Sequence, residues 1–242
     1  MNTLFLRLEG PLQSWGVRAR WSERDTADAP TKSGVIGLLG CALGLRRDDQ
    51  HLRTLSDHLR MGVRVDLPGT LMRDYHTTGS VLSAEVTKKG RIKVKINKKS
   101  KEPETDVSER YYLADASFRV ALQRHDNLID IDILARAVQR PVWPLFLGRK
   151  ACVPTTPVFD GLGQFDDLMT ALSEQTFSMR VLQAWERQRP AALRLLIETR
   201  PGDGNRQYDN IGVPGRRIFR PRYVYEDWLP LDTGSGINTL EG

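Results

Sequence analysis

APTKSGVIGLLGCALGLRRDD, Ala29 to Asp49, is the stretch on which the fold turns. Thr31 is a residue type that caps helix N-termini. The apolar spacing behind it predicts a helix running to about Leu45. Gly34, Gly37, Gly40 and Gly44 recur every three or four residues, which puts them along one side of that helix. A helical glycine costs about 1 kcal/mol relative to alanine, so the stripe needs a reason. The reason expected is close approach of the helix backbone to a sheet. The apolar run GVIGLLGCALGL is too short for the ~20 residues of a membrane span, so no membrane partner is expected.

Working outward, Thr3–Leu8 alternates as a strand does, and EGPLQSWG after it is turn-rich with an exposed-looking Trp15. VRARWSERDTADAP reads as a loop. Beyond the glycine helix, DDQHLRTLSDHL predicts a second helix with Leu52, Leu55 and Leu59 on one face. Arg60–Leu67 and Leu71–Thr78 read as strands, and RYYLADASFRVALQ as one strong strand. DIDILARAVQR predicts a helix capped by Asp130 or Asp132 and stopped by Pro141. A short helix near Asp167–Leu172 and strands at Ala192–Thr199 and around Tyr223–Trp228 complete the pattern. Strand, helix, strand occurs twice, the βαββαβ plan of a ferredoxin-like or RRM-like domain. The class expected is α+β: a palm of that plan with a β-rich C-terminal part. No composition break marks a domain boundary.

KKGRIKVKINKKSK, Lys88 to Lys101, carries eight basic residues and no acidic one. Arg91, Lys93 and Lys95 alternate with Ile92, Val94 and Ile96, which is a strand with one charged and one apolar face. Gly90 supplies a turn and Val81–Val86 a partner strand. Residues 80–107 therefore read as a β-hairpin inserted between two core strands. One reading is a solvated hairpin, or a disordered loop with excess lysine. The sharper one is an arm laid along phosphates, which relieves the repulsion between its lysines and releases counterions.

The net charge of +6 favours an anionic partner. MNTLFLRLEG is no secretory signal, and Cys41 and Cys152 fit buried residues in a reducing cytoplasm. Zinc is not expected, because there is no CxxC or HExxH pattern and the four histidines are scattered. TKSG fails as a P-loop, since Thr26 and Thr31 stand where glycines are required. Lys32 and Ser33 still lie in a first helical turn, where an anion is favoured and simple capping is the plainer reading. Asp130 and Asp132 read as a cap ahead of a metal-binding pair. Tyr75 and His76 are candidates for acid–base work on RNA, though such a pair more often stacks or fills a core. Arg149–Lys150 and the run Arg216, Arg217, Arg220, Arg222 form further basic points.

LRLEGPLQSWG, APTKSGVIGLLGCALGLRRDD, RDYHT, YYLADASFRVAL and PLFLGRKACVPTTPVF occur in this order from residue 4 to about 160. Together they resemble the CasD-type branch, type I-E, of the Cas "five" family in the RAMP superfamily. The resemblance implies a palm (residues 1–79 and 108–232, including the C-terminal extension) and a thumb hairpin (80–107); the end, DTGSGINTLEG, reads as a flexible tail (233–242). It implies a cytoplasmic, non-catalytic subunit that grips the 5′ handle of CRISPR RNA and caps one end of Cascade. The partners implied are a CasC-type backbone subunit, the large subunit and target DNA held by the assembly. The RNA-binding set it implies begins with Gln13, Trp15 and Arg20 in the front loops and Lys32 and Ser33 at the helix start. It continues with Arg73, Tyr75 and His76, then Lys88, Lys89, Arg91, Lys93 and Lys95 of the hairpin, and Arg110, Arg149 and Lys150. No catalytic residue, metal or cofactor is implied. The alternative is a metal-independent endoribonuclease that processes repeat RNA, as relatives of the type I-C branch do with Tyr, Lys and His.

Overall fold

β1 (Thr3–Glu9) lies inside a sheet because both of its faces are apolar: Leu4, Leu6 and Leu8 enter one core cluster and Phe5 another. The computed structural model describes residues 1–17, 22–78, 106–216 and 218–231, with the backbone alone at 78, 85, 86, 92, 93 and 106. After β1 come β2 (Leu12–Gln13), β3 (Glu23–Arg24), α1 (Lys32–Leu43), α2 (His51–His58), β4 (Leu59–Leu67) and β5 (Thr70–Thr78). β6 (Glu85–Val86), β7 (Ile92–Lys93), β8 (Asp106–Ala114), β9 (Ser117–Arg124), α3 (Ile131–Gln139) and β10 (Phe159–Gly163) follow. The chain continues through α4 (Leu168–Ser173), α5 (Met179–Arg187), β11 (Ala192–Thr199), β12 (Asn205–Val213) and β13 (Ile218–Pro230).

The main sheet has seven strands in the order β10-β1-β9-β4-β11-β13-β12, every pairing antiparallel. Its first four strands, with α1 and α3 as the two crossovers, are the expected βαββαβ plan. β11, β13 and β12 extend the same sheet past β4 and make the β-rich C-terminal part. On one face, Val35, Ile36 and Leu39 of α1 and Leu134 and Val138 of α3 pack on Leu6, Val63, Phe118 and Val120. On the other face, Leu168 and Leu172 of α4 cover Phe5, Ala121 and Leu195.

That second face also buries charge. Arg64 is fully buried. It is forked onto Asp66 (Nε to Oδ1, 2.6 Å) and donates through Nη1 to the carbonyls of Leu172 and Gln175 at 2.6 and 2.7 Å. Burial pulls the Arg119 guanidinium down to about 10, while Asp160 and the Thr176 carbonyl hold it in place.

The glycine stripe does not meet the sheet. A Cβ on Gly34 would lie 2.8 Å from Cε3 of Trp15, and one on Gly40 would lie 2.6 Å from Cδ2 of Leu52. Gly44 ends the helix in the left-handed conformation, φ 71°, and Gly37 faces open space. The close approach between helix and sheet is made instead by Gly62 of β4, where a Cβ would come 2.9 Å from Leu172 of α4.

RYYLADASFRVALQ is two strands, not one. β8 ends at Ala114, Asp115 takes φ 58°, and β9 begins at Ser117 in a different sheet. β5 and β8 pair antiparallel from Thr70↔Ala114 to Thr78↔Asp106, with β2 and β3 beside β8, so the strands flanking the basic stretch leave the main sheet together. Gly69 (φ 72°) lies against the Ala114 carbonyl at the point of departure. In a separate two-stranded pairing Glu85 pairs with Lys93 and Val86 with Ile92. The rest of Lys88–Lys101, its two-faced patterning included, lies outside the described residues, as does the tail. α5, β10 and β12 were not expected from the sequence.

Candidate nucleic-acid interface

The N-terminus of α1 is held by a carboxylate from the far end of the chain. Thr31 is the cap residue but makes no side-chain cap bond; the Lys32 N–H donates to Asp209 Oδ2 at 2.7 Å. Asp209 is itself clasped by Arg222, Nε to Oδ1 at 2.6 Å. The anion at this helix start is therefore the protein's own. Lys32 is turned inward, 1% exposed, with Nζ 2.7 Å from Glu198 Oε1. Burial holds its amine below the ordinary lysine value against the pull of Glu198. These bonds tie β11–β13 to α1 and bring the β12–β13 turn over the helix.

QSWG forms the opposite side. Trp15 is buried, 1% exposed, which corrects its exposed reading. Its indole donates to Gln13 Oε1 at 3.1 Å, and Gln13 Nε2 donates to the carbonyls of Leu8 and Ala116, each at 2.9 Å. The Ser14 N–H donates to the Leu147 carbonyl at 3.0 Å. Gly148, φ 97°, lies so close to Ser14 that a Cβ would overlap its carbonyl oxygen. The guanidinium of Arg149 reaches the carbonyls of Tyr111, Arg24 and Asp25 at 3.2, 2.8 and 3.1 Å and lies 4.8 Å from the Tyr112 ring centre. These partners are neutral, so the charge of Arg149 is oriented but not cancelled.

Between the two sides lies a cleft of about 860 Å³ whose floor is the glycine side of α1. Ser33, Gly34, Gly37 and Cys41 face it from the helix. Arg24, Arg47, Arg149, Lys150 and Arg216 line it against a single carboxylate, Asp25, among the described residues. Trp143 and Phe219 present partly exposed rings at its wall. A cationic groove bearing aromatic faces is suited to a single strand of nucleic acid: the charges follow the phosphates and the rings receive bases.

The family model described as CRISPR-associated protein (Cas_Cas5) matches residues 3–225. The chain belongs to the Cas5 family. It is 39% identical over 180 residues to the CRISPR system Cascade subunit CasD of Escherichia coli (strain K12), covering 70% of this chain and 75% of that one. A crystal structure of a Cas protein superposes with a TM-score of 0.64 at 36% identity, over 94% of this chain and 95% of the other. A chain of a solved CRISPR RNA-guided surveillance complex gives a TM-score of 0.69 at 29% identity, over 95% and 90%. The resemblance carried by LRLEGPLQSWG and its companion motifs is thereby borne out.

In this Cas5 protein the residues singled out from the sequence fall into four groups. Trp15, Ser33, Arg149 and Lys150 line the cleft, with Lys150 exposed. Arg73, Tyr75, His76 and Arg110 stand on the β5–β8 ribbon and do not line it. There Arg73 is 3.6 Å from Glu109, His76 Nδ1 is 3.5 Å from Asp74 Oδ2, and Arg110 Nε donates to Ser108 Oγ at 3.4 Å. Gln13 and Lys32 are internal, their polar groups engaged by the protein. Arg20, Lys88, Lys89, Arg91 and Lys95 lie outside the described residues, as do the side chain of Lys93 and all of Arg217.

Of the arginine run, Arg216 reaches the cleft, Arg220 pairs with Asp57, and Arg222 is buried on Asp209. Arg24, Arg47 and Trp143 were missed; Arg47 stands inside the glycine-helix motif itself, in GLRRDD. Asp130 accepts from the N–H groups of Asp132 and Ile133 at 2.9 and 3.3 Å, so it is the cap of α3.

Proposed function

We propose that this chain is a non-catalytic, RNA-gripping subunit of a type I-E Cascade surveillance complex in the cytoplasm, holding the 5′ handle of CRISPR RNA. The observation that carries the reading is the cleft: among the described residues, five cationic side chains and one carboxylate over a glycine-lined helix, on a chain related to CasD. In this reading the palm holds the handle in the cleft. Residues 80–107 act as a thumb that closes over the strand from the β5–β8 ribbon. The subunit sits at one end of the backbone beside a CasC-type subunit and the large subunit, in an assembly that holds target DNA. Among the described residues no helix is long and apolar enough to cross a membrane.

The ribonuclease alternative rests on Tyr75 and His76. They are adjacent on one strand, so their side chains leave opposite faces of the ribbon, which is unfavourable for joint attack on one phosphate. Labelled repeat RNA incubated with the protein and a chelator tests both readings. Retarded but intact RNA, bound through the handle and released by salt, is the expected result. Site-specific cleavage abolished by His76→Ala would replace this reading with the enzymatic one.

A further inference from the structure

We propose a divalent transition-metal site of the zinc class formed by His58, His125 and Asp126. The fold brings together two histidines that lie far apart in the sequence. His58 is the last residue of α2 and His125 follows β9; the β4–β9 register pairs Leu59 with Arg124, and the His125 N–H lies 3.4 Å from the His58 carbonyl. One ligand atom from each of the three side chains lies within 4.8 Å of the others.

The two imidazoles converge on one carboxylate oxygen. His58 Nδ1 is 2.6 Å and His125 Nδ1 is 3.3 Å from Asp126 Oδ2. His125 Nε2 lies 3.0 Å from the Asp57 carbonyl, an acceptor only, so this nitrogen carries the proton. In a ring that carries its proton on Nε2, Nδ1 is the nitrogen left to ligate a metal. A cation placed among the three ligand atoms would be shared by two imidazoles and one carboxylate. Tetrahedral zinc with bonds of about 2.0–2.2 Å sets neighbouring ligand atoms about 3.3–3.5 Å apart. The His125–Asp126 edge already has that length, and the His58 edge reaches it by a shift of less than about 1 Å as the metal replaces the shared proton.

The outer partners are in place. Asp57 orients His125, and Asp126 Oδ1 accepts the Leu128 N–H at 3.0 Å, which leaves Oδ2 for the ion. The side chains are 27%, 43% and 33% exposed, so an ion has a way in and water a fourth position. Two imidazoles and one carboxylate favour zinc, nickel or copper over magnesium or calcium. Bound there, the ion cross-links the α2–β4 junction to the end of β9.

Titration of metal-free, full-length protein with zinc chloride in a calorimeter, and with cobalt chloride by visible absorbance, tests the site. One ion per chain is expected, with d–d bands of four-coordinate cobalt. The double variant His58→Gln/His125→Gln and the single variant Asp126→Asn each weaken binding by at least about tenfold. His51→Ala removes a ring paired only in a two-residue contact, Nδ1 2.7 Å from Asp49, and leaves binding unchanged. Imidazole nitrogen resonances of the unaltered protein identify the ligands without any variant, because there are only four histidines. Zinc shifting His58 and His125 alone supports the site. The proposal is overturned by the lack of a saturable single ion, by shifts centred on His51 or His76, or by full affinity in the variants.

Discussion

Lys32→Met separates two roles that the sequence leaves entangled, phosphate contact and internal tie. The ammonium is 2.7 Å from Glu198 Oε1 and nearly inaccessible, at 1% exposure. Removing one partner of a buried pair costs about 3–5 kcal/mol, because the other charge stays behind. Glu198 is not wholly stranded. Its Oε2 accepts the Met61 N–H at 3.0 Å and lies 4.0 Å from Arg222 Nη1. Methionine also fills the lysine's volume without its desolvation. The lower end, about 3 kcal/mol, therefore applies. For a chain of this length each kcal/mol moves the melting temperature by about 2–4 °C, so a fall of about 6–12 °C is expected.

RNA binding must respond differently. Each lost phosphate contact to a single strand reduces the slope of log affinity against log salt by about 0.7. Lys32→Met should leave that slope unchanged below the melting transition. Lys150→Met, at an exposed position on the cleft wall, should reduce it by about 0.7 while changing stability by no more than about 0.5 kcal/mol. Thermal denaturation and fluorescence anisotropy with handle RNA across a salt series measure both quantities. A normal melting temperature for Lys32→Met together with a reduced salt slope would refute the assignment of Lys32 as an internal tie.

Stability should also depend on pH through Lys32. Its folded-state value lies below the ordinary 10.5, so in the window just under 10.5 the unfolded chain binds more protons and this group's contribution to stability rises with pH. The stability gap between wild type and Lys32→Met, from urea titrations, should widen toward alkaline pH; a constant gap would contradict the burial. Gly37→Ala should stabilise α1 by about 1 kcal/mol, since a Cβ there meets nothing within 4 Å. Gly34→Ala should be worse than Gly37→Ala by about 1–3 kcal/mol, because its Cβ is forced onto the buried Trp15 ring. Gly37→Glu should fold normally yet bind handle RNA weakly, since it sets a carboxylate on the cleft floor; undiminished binding by folded Gly37→Glu would move the RNA elsewhere.

The palm was legible because its signals are local. Periodicity and a C′ glycine place α1, Asp130 and Pro141 bracket α3, and alternation places β1 and β4. What failed was whatever depends on a partner. Periodicity says that four glycines share a side of α1, but not that the side meets Trp15 and Leu52 rather than a sheet. The break at Asp115 carries no Gly or Pro to mark it, so two strands in different sheets read as one. α5 did leave a signature: Ser178 caps it through the Val181 N–H at 3.3 Å, and Val181 and Trp185, four residues apart, are both buried. Arg180, Gln183, Glu186 and Arg187 interrupt its apolar residues, so the periodicity is weak. At the site, Arg216, Arg220 and Arg222 look equivalent in the sequence. Their fates diverge because only the β12–β13 register sets Arg222 against Asp209 and leaves Arg216 at the turn.

The charge distribution follows the same logic. Lys88–Lys101 holds eight basic residues against a net charge of +6, so the remainder of the chain is slightly acidic. Within that remainder many arginines are matched by carboxylates: Arg7 and Arg119 by Asp160, Arg64 by Asp66, Arg194 by Asp28 and Glu226, Arg222 by Asp209. Under the proposed function, a body that is nearly neutral overall should attract RNA where its cations outnumber their acidic neighbours, as they do in the cleft among the described residues. On that reading, long-range attraction would fall to the proposed hairpin and short-range fit to the cleft. Neutralising several hairpin lysines should therefore slow association and flatten the salt dependence, whereas altering the cleft should speed dissociation. Stopped-flow measurements of the two rates distinguish this division of labour from a single uniform basic surface, on which both sets of changes would act on the same rate.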